Sequence, residues 1–93
     1  MVHKIIQVVW TRNAREALNS ILDYRFKEIP SARKIVRRDI ISASKNIVFA
    51  KQYQKDNIDP KYHRIIIRDY KILYKSIQNT IYIMNIVCTK ASR

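Results

Sequence analysis

The sequence predicts an α+β fold with the order β-α-α-β-β-β, in which an N-terminal helical hairpin packs on one face of an antiparallel sheet. β-branched residues are concentrated in one run near the N-terminus and in three runs after residue 61, a pattern typical of strands. Apolar residues between these regions recur at helical spacing. The last three runs follow each other so closely that tight antiparallel connections are expected.

The first strand and the first helix are predicted over residues 4–28. The run "KIIQVVW" at residues 4–10 is rich in β-branched side chains and predicts the strand. Thr11 or Asn13 can cap the helix, because a side-chain oxygen there accepts a hydrogen bond from an unpaired N–H of the first turn. Pro30 ends the helix. One apolar stripe follows the cap and comprises Ala14, Ala17, Leu18, Ile21, Leu22 and Phe26.

A second helix is predicted from Ser31, which offers another N-terminal cap, to about residue 50. Its basic residues fall on the polar side, where a solvated helix face is the more common explanation and a binding role is the alternative. The apolar face comprises Ala32, Ile35, Val36, Ile40, Ala43 and Ile47. The basic residues are Arg33, Lys34, Arg37, Arg38 and Lys45.

Three strands complete the chain after a polar connection at residues 52–62. They are predicted as an antiparallel meander at residues 62–68, 70–77 and 80–88. Because the sequence contains no glycine, we expect Asp69 and Asn79 to take the positive φ that hairpin turns need. Both faces of the last strand are apolar enough that the pattern does not decide which one is buried.

The charge of the chain predicts an anionic partner. The 93 residues fit one domain, residues 1–93, and carry 19 Lys and Arg against seven Asp and Glu, a formal charge of +12 that exceeds what solubility needs. Five cations face three anions in residues 1–30, seven face three in residues 31–60, and seven face one thereafter. Nucleic acid, an acidic protein segment and an anionic membrane are the candidate partners.

Other classes of site find little support in the sequence. The single cysteine, Cys88, excludes an internal disulfide, and no run approaches the length of a membrane span, so we expect a cytoplasmic protein. His3, His63 and Cys88 do not cluster, so no metal site is predicted. Without a glycine-rich phosphate loop or a Ser–His pair at suitable spacing, no cofactor and no small-molecule substrate are expected.

The stretch "RIIIRDYKILYK" at residues 64–75 predicts a basic sheet face. Strand side chains alternate, so one apolar set packs against the helices while the cations point the other way. The apolar set is Ile65, Ile67, Tyr70, Ile72 and Tyr74, and the cations are Arg64, Arg68, Lys71 and Lys75. Without counter-charges these cations repel one another, so they suit a surface that binds phosphates or carboxylates. An ordinary solvated face is the alternative.

The order and spacing of these segments resemble the RelE/ParE superfamily of bacterial type II toxins. "VVWTRNAREALNSILDY" resembles the family's opening strand and first helix, "YHRIIIRDYKILYKS" its paired central strands, and "TIYIMNIV" its last strand. The resemblance implies a small cytoplasmic toxin that a cognate antitoxin neutralises through a partly disordered, often acidic segment. RelE-like members cut mRNA on the ribosome, whereas ParE-like members poison DNA gyrase without hydrolysis, so the fold alone does not choose between them.

The resemblance also implies candidate site residues. Lys71 matches the family's mid-sheet arginine, and Arg64 and Arg68 precede it, so these three are the catalytic candidates if the chain is a nuclease. Family nucleases usually end in a basic pair followed by Tyr or His, whereas here Lys90 matches one basic position, Ala91 stands at the other, and neither Tyr nor His follows. The residues expected to bind nucleic acid or a protein partner are Arg64, Arg68, Lys71, Lys75, Lys90 and Arg93.

The missing C-terminal acid favours a ParE-like gyrase poison over the alternatives. The first alternative is a RelE-like, ribosome-dependent mRNA endonuclease. The second is a binding module that has lost its toxicity. Both toxin hypotheses predict an antitoxin as a partner. The expected target is DNA gyrase for the ParE-like toxin and the ribosome with its mRNA for the RelE-like toxin.

Overall fold

The computed structural model describes residue 5 and residues 7–89, and these form two helices and four strands. Strand β1 spans Gln7–Trp10, helix α1 spans Arg12–Phe26 and helix α2 spans Pro30–Lys45. Strands β2, β3 and β4 span His63–Ile67, Tyr70–Ile77 and Thr80–Cys88. The predicted α+β order β-α-α-β-β-β is confirmed, although residues 4 and 6 of the predicted first strand lie outside the described residues. Neither described helix is long and apolar enough to cross a membrane.

The four strands form one sheet in the order β1-β4-β3-β2. β2 pairs with β3 and β3 pairs with β4 in antiparallel orientation, as the short links predict. The first strand corrects the prediction of a wholly antiparallel sheet, because it runs parallel to β4, with Val9 opposite Tyr82. A tight turn enforces antiparallel pairing, but here a helical hairpin separates β1 from the other strands, so β1 can enter the sheet in the same direction as β4.

Helix α1 is fixed at its start by Thr11, as predicted. The Thr11 Oγ1 accepts a hydrogen bond from the Ala14 N–H at 3.2 Å and donates one to the Ile83 carbonyl oxygen at 2.7 Å. The cap therefore also ties the helix to β4. Ala14, Leu18 and Leu22 are buried, which confirms that the predicted apolar stripe is the packing face.

Helix α2 begins at Pro30 and not at the predicted Ser31 cap. Proline suits the first turn of a helix because its φ is already helical and its missing N–H has no partner to lose there. Ile29 precedes the helix without a side-chain cap. The helix buries Ile40 completely and ends at Lys45, short of the predicted end.

The core lies between the two helices and one face of the sheet. Two of its polar groups are satisfied, since Trp10 Nε1 donates to Ser44 Oγ at 2.9 Å and the Tyr74 hydroxyl donates to the Ala50 carbonyl oxygen at 3.2 Å. Burial raises the pKa of Tyr74 to about 12, so the hydroxyl remains a donor at neutral pH. The buried apolar residues of the core are Ala14, Leu18, Leu22, Val36, Ile40, Ile47, Ile65, Tyr70, Ile72, Tyr74, Ile81, Ile83 and Ile86.

A bulge decides which face of β4 is buried. The register with β3 shifts between Leu73 and Tyr74, so that Asn85 lies opposite Leu73 while Ile83 lies opposite Tyr74. The extra residue lets both Ile83 and Ile86 face the helices, and both are buried. Simple alternation places these two residues on opposite faces, which is why the sequence pattern leaves the buried face open.

The connection at residues 46–62 covers the start of the outer edge of β2. Lys55 forms an isolated antiparallel bridge with His63, and the Arg64 N–H donates to the Gln54 carbonyl oxygen at 2.9 Å. The sequence predicts only an irregular connection here. The short paired segment instead extends the sheet beyond the start of β2, so this part of the edge is not open for pairing with another chain.

Both hairpins turn where the sequence predicts, but the strained residues differ from the expected ones. Positive φ occurs at Arg68 (53°) and Gln78 (56°) and not at Asp69 and Asn79. Arg and Gln lack the short polar side chain that helps Asp and Asn adopt this conformation, so each position costs on the order of 1 kcal/mol. A chain without glycine therefore stores local strain in both hairpins.

Glycine at position 78 is expected to stabilise the protein. Gln78→Gly should raise the free energy of unfolding by about 1 kcal/mol, because glycine adopts positive φ without a steric penalty. Urea denaturation measures the change. Asn79→Gly is the matched control. The φ of Asn79 is not positive, so glycine there only raises the conformational entropy of the unfolded chain and should not stabilise the protein. Equal effects of the two substitutions would contradict the placement of strain at Gln78.

Candidate functional site

The candidate site is the sheet face that points away from the helices, which we call the distal face. Its residues alternate with core residues along β2 and β3, so that Arg64 lies opposite Leu73 and Ile66 lies opposite Lys71. Ile66 is 57% exposed, whereas its neighbour Ile65 is buried. The helices therefore cover one face, as predicted. The distal face includes Arg64, Ile66, Lys71, Leu73, Lys75, Tyr82 and Asn85.

The central cations of the distal face are paired with a carboxylate. Lys71 is only 9% exposed, and its Nζ lies 2.8 Å from Oδ1 of Asp56. The Arg64 Nη1 lies 3.7 Å from the same Oδ1 and donates to Asn57 Oδ1 at 2.8 Å. Arg64 and Lys71 thus share a counter-charge from within the protein. Strand alternation gives no sign of this pairing, because Asp56 belongs to the connection before β2.

Asp56 is almost completely buried on the distal side of the sheet. Its Oδ2 accepts a hydrogen bond from the Asp59 N–H at 2.8 Å, which closes a local turn and orients the carboxylate. The contact with the Lys71 ammonium lowers the pKa of Asp56 against the opposing effect of burial, and the N–H groups of Asp59 and Ile58 lower it further. Asp56 is therefore ionised at neutral pH and offsets the charge of Lys71.

Arg68 does not share the distal face with the other predicted cations. It lies in the β2–β3 hairpin, and its Nη2 and Nε donate to Oδ2 of Asp39 in α2 at 2.6 and 3.2 Å. The alternation of a strand does not extend to a turn residue with positive φ, which is why the sequence pattern misplaces Arg68. Its side chain joins the hairpin to α2 on the helix side of the sheet.

Among the described residues, Lys75 is the distal-face cation without an ion-pair partner. It is half-buried opposite Tyr82, and none of the described residues forms an ion pair with it. Lys90 and Arg93, the predicted binding residues at the C-terminus, lie outside the described residues. Among the described residues, the distal face thus offers one unpaired cation beside aromatic and aliphatic side chains.

A second polar cluster lies beside the end of α1, and the sequence gives no signal for it. Arg25 Nη1 donates to the Tyr70 hydroxyl at 3.2 Å and to Cys88 Sγ at 3.4 Å, while Nη2 donates to Asp69 Oδ2 at 3.5 Å. Burial raises the pKa of Tyr70, so its hydroxyl stays neutral. These contacts fasten α1 to the β2–β3 hairpin and to the end of β4. Their residues are at least 44 positions from Arg25, beyond the reach of local patterns.

His63 faces the core side of the sheet, as strand alternation predicts. Its ring stacks on Tyr74 with the centroids 5.5 Å apart. Burial lowers the pKa of His63, and the charges of Lys55 and Lys51 lower it further, so the ring is neutral at pH 7. Within residue 5 and residues 7–89, no three His, Cys, Asp or Glu side chains are grouped to hold a metal ion.

Comparison with known proteins gives a match at the level of structure. No protein-family model matches the sequence, and no curated protein matches it significantly. A solved structure described as the chromosomal ParDE TA system from P. aeruginosa is similar, with a TM-score of 0.76 and 18% sequence identity, covering 92% of this chain and 98% of that chain. This chain has a ParE/RelE-like fold. The ParE-like architecture accounts for the helical hairpin and the mixed sheet together, since the match extends over almost the whole of both chains.

Acid is expected to remove the stabilisation that Asp56 provides to this ParE-like fold. The pKa of Asp56 is lowered from its ordinary value of 3.8 in the folded state, so its contribution is present above that value and is lost as the pH falls through the folded pKa. We expect Asp56→Asn to lower Tm at neutral pH. The difference in Tm between wild type and variant should narrow below about pH 4.

Thermal unfolding followed by circular dichroism from about pH 7 to about pH 2.5 measures this difference. His63 titrates in both proteins, so its effect cancels in the comparison. A difference in Tm that stays constant over the whole range would contradict the ionised, paired state of Asp56.

Proposed function

We propose that this chain is the toxin of a type II toxin–antitoxin module with a ParE-like action on DNA gyrase. It acts as a single toxin domain, residues 1–93, in the cytoplasm, and it arrests growth when free of its antitoxin. The fold supports this proposal, because the similar solved structure is described as part of a ParDE TA system and the match covers 98% of that chain.

The charge supports an acidic antitoxin as the partner that holds the toxin inactive. The formal charge of +12 leaves a large positive potential around a protein of 93 residues. A disordered acidic segment lowers that potential and can wrap a large surface while it folds on binding. Binding of such a partner would also keep the basic chain from binding other anions in the cell before it reaches its target.

The ion pair between Lys71 and Asp56 is the observation that favours a ParE-like over a RelE-like action. RNA cleavage needs a cation that stabilises the transition-state phosphate, together with a base and an acid for proton transfer. Lys71 occupies the position that resembles the mid-sheet arginine of the nucleases, but a carboxylate oxygen lies 2.8 Å from its Nζ. A phosphate approaching this lysine meets the negative charge of Asp56, and His63 faces the opposite side of the sheet.

Without hydrolysis, the distal face acts by binding a protein target. Lys75 lies beside Tyr82, and both belong to a surface with partly exposed aliphatic residues such as Ile66. A cation next to aromatic and aliphatic side chains is a combination typical of protein interfaces. We assign the contact with the target to Lys75, and we propose from the sequence alone that Lys90 and Arg93 also take part. Arg64 and Lys71 then keep the shape of this face.

Expression without an antitoxin should produce filamentous, DNA-damaged cells with intact transcripts, and the purified protein should inhibit supercoiling by gyrase. Lys75→Glu should weaken both effects about tenfold, because it replaces a favourable interface charge by a repulsive one. The Tm is expected to change little, since no carboxylate of the described residues forms an ion pair with Lys75. Growth curves, transcript integrity and a supercoiling assay measure these outcomes.

Lys51→Glu is the matched control, because Lys51 is exposed on the connection and away from the distal face. It makes the same change in charge and should leave toxicity intact. Cleaved transcripts on translating ribosomes, with gyrase unaffected, would overturn the proposal in favour of a nuclease. Normal growth in every case would favour a non-toxic binding module. Equal loss of toxicity in both variants would exclude a specific contact by Lys75.

A further inference from the structure

Helix α2 presents a row of cations to solvent on the side opposite the core. Val36 and Ile40 are buried and define its core side. Because successive residues rotate by about 100° around a helix, four exposed cations fall together on the outward side. We call this row the α2 stripe, and it comprises Lys34, Arg37, Arg38 and Lys45.

The α2 stripe is poorly neutralised by its surroundings. Asp39 is the acidic residue of α2. Its Oδ2 lies 2.6 Å from Nη2 of Arg68, and its Oδ1 lies 3.8 Å from Nε of Arg38. Asp23 of α1 is likewise engaged, by Arg33 at 2.8 Å. The stripe residues without an ion-pair partner among the described residues are Lys34, Arg37 and Lys45.

The arrangement within the stripe costs stability. Lys34 is three residues before Arg37 and four before Arg38, and like charges at these spacings repel on the surface of a helix. Lys45 lies two turns further along the same side. Folding does not need this concentration of charge, whereas a polyanion placed against the stripe would remove the repulsion.

The spacing and chemistry of the stripe fit the backbone of a DNA duplex. Lys34 and Lys45 are about 16 Å apart along the helix axis, and a duplex carries about nine phosphate charges over that length. Ser31 and Ser42 are exposed beside the cations and add hydroxyl groups that suit phosphate oxygens. The stripe has no aromatic side chain, so it lacks the stacking platform that single strands prefer.

An acidic protein segment fits the α2 stripe less well. Segments that dock along a helix are usually anchored by apolar side chains between the charges. Two apolar residues adjoin the stripe. Ile35 is 46% exposed at its margin, whereas Ile41, which lies four residues from both Arg37 and Lys45, is half-buried and packs against the core. We propose that the α2 stripe binds the phosphate backbone of double-stranded DNA without sequence specificity. This binding does not depend on the proposed action on gyrase.

The salt dependence of DNA binding tests the assignment. The purified full chain and a variant with Lys34→Gln, Arg37→Gln, Arg38→Gln and Lys45→Gln are titrated against a labelled duplex of about 20 base pairs. A plot of log affinity against log salt concentration has a negative slope, and loss of four phosphate contacts should make that slope less steep by about 3.6. Between about 50 and about 200 mM salt, the wild type should therefore lose about 150-fold more affinity than the variant.

The matched control removes the same charge from exposed cations elsewhere, with Arg12→Gln, Arg15→Gln, Lys27→Gln and Lys51→Gln. It should keep a slope close to that of the wild type, and circular dichroism should show both variants folded. If the salt dependence of binding weakens equally in both variants, the proposal is overturned, because DNA binding then depends on the total charge of the protein and not on the α2 stripe. Binding of polyglutamate at the stripe without binding of the duplex would also overturn it, in favour of an acidic protein. A chain that fails to arrest growth but shows the predicted slopes would contradict the toxin function alone.

Discussion

The contact between the buried Asp56 carboxylate and the Lys71 ammonium is the interaction on which the sheet side of the molecule depends. Asp56 reaches the middle of the distal face from the connection before β2, and the Asp59 N–H orients it there. Removal of Asp56 leaves the buried Lys71 without an ion-pair partner among the described residues, and removal of Lys71 leaves Asp56 only the longer contact with Arg64, so either change costs more than the loss of an exposed pair. The contact thus fixes the path of the connection along the sheet edge and the charge of the distal face at once.

This pairing determines where the large positive charge of the chain is available. Arg64 and Lys71 contact Asp56, and Arg68 contacts Asp39, so two carboxylates offset about half of the positive charge of the stretch that looks most basic in the sequence. Lys75 on the distal face and three residues of the α2 stripe have no ion-pair partner among the described residues, and the same holds for the scattered exposed cations Arg12, Arg15, Lys27, Lys51 and Lys55. The proposed partner contact and the proposed DNA-binding surface therefore lie on opposite sides of the protein. At the position that resembles a nuclease centre, the described cations Arg64 and Lys71 both lie against Asp56.

Local patterns predict most of the fold, because each of those features depends on neighbouring residues alone. Helical spacing gives the packing faces of α1 and α2, alternation gives the buried side of β2 and β3, and Thr11 marks the start of α1. The parallel entry of β1, the bulge between β3 and β4, and the contact of Asp56 with Lys71 depend on residues far apart in the chain. For the site, alternation gives the correct face for Lys71 and Lys75, but it gives neither their charge environment nor the position of a turn residue such as Arg68.

A double-mutant cycle on Asp56 and Lys71 tests the central claim most directly. The free energies of unfolding of wild type, Asp56→Asn, Lys71→Met and the double variant are measured by urea denaturation at neutral pH. A direct buried ion pair predicts a clear loss in each single variant and a loss in the double variant that is smaller than the sum of the two. Additive losses would show that the two side chains do not interact, and the distal face would then regain a free central lysine.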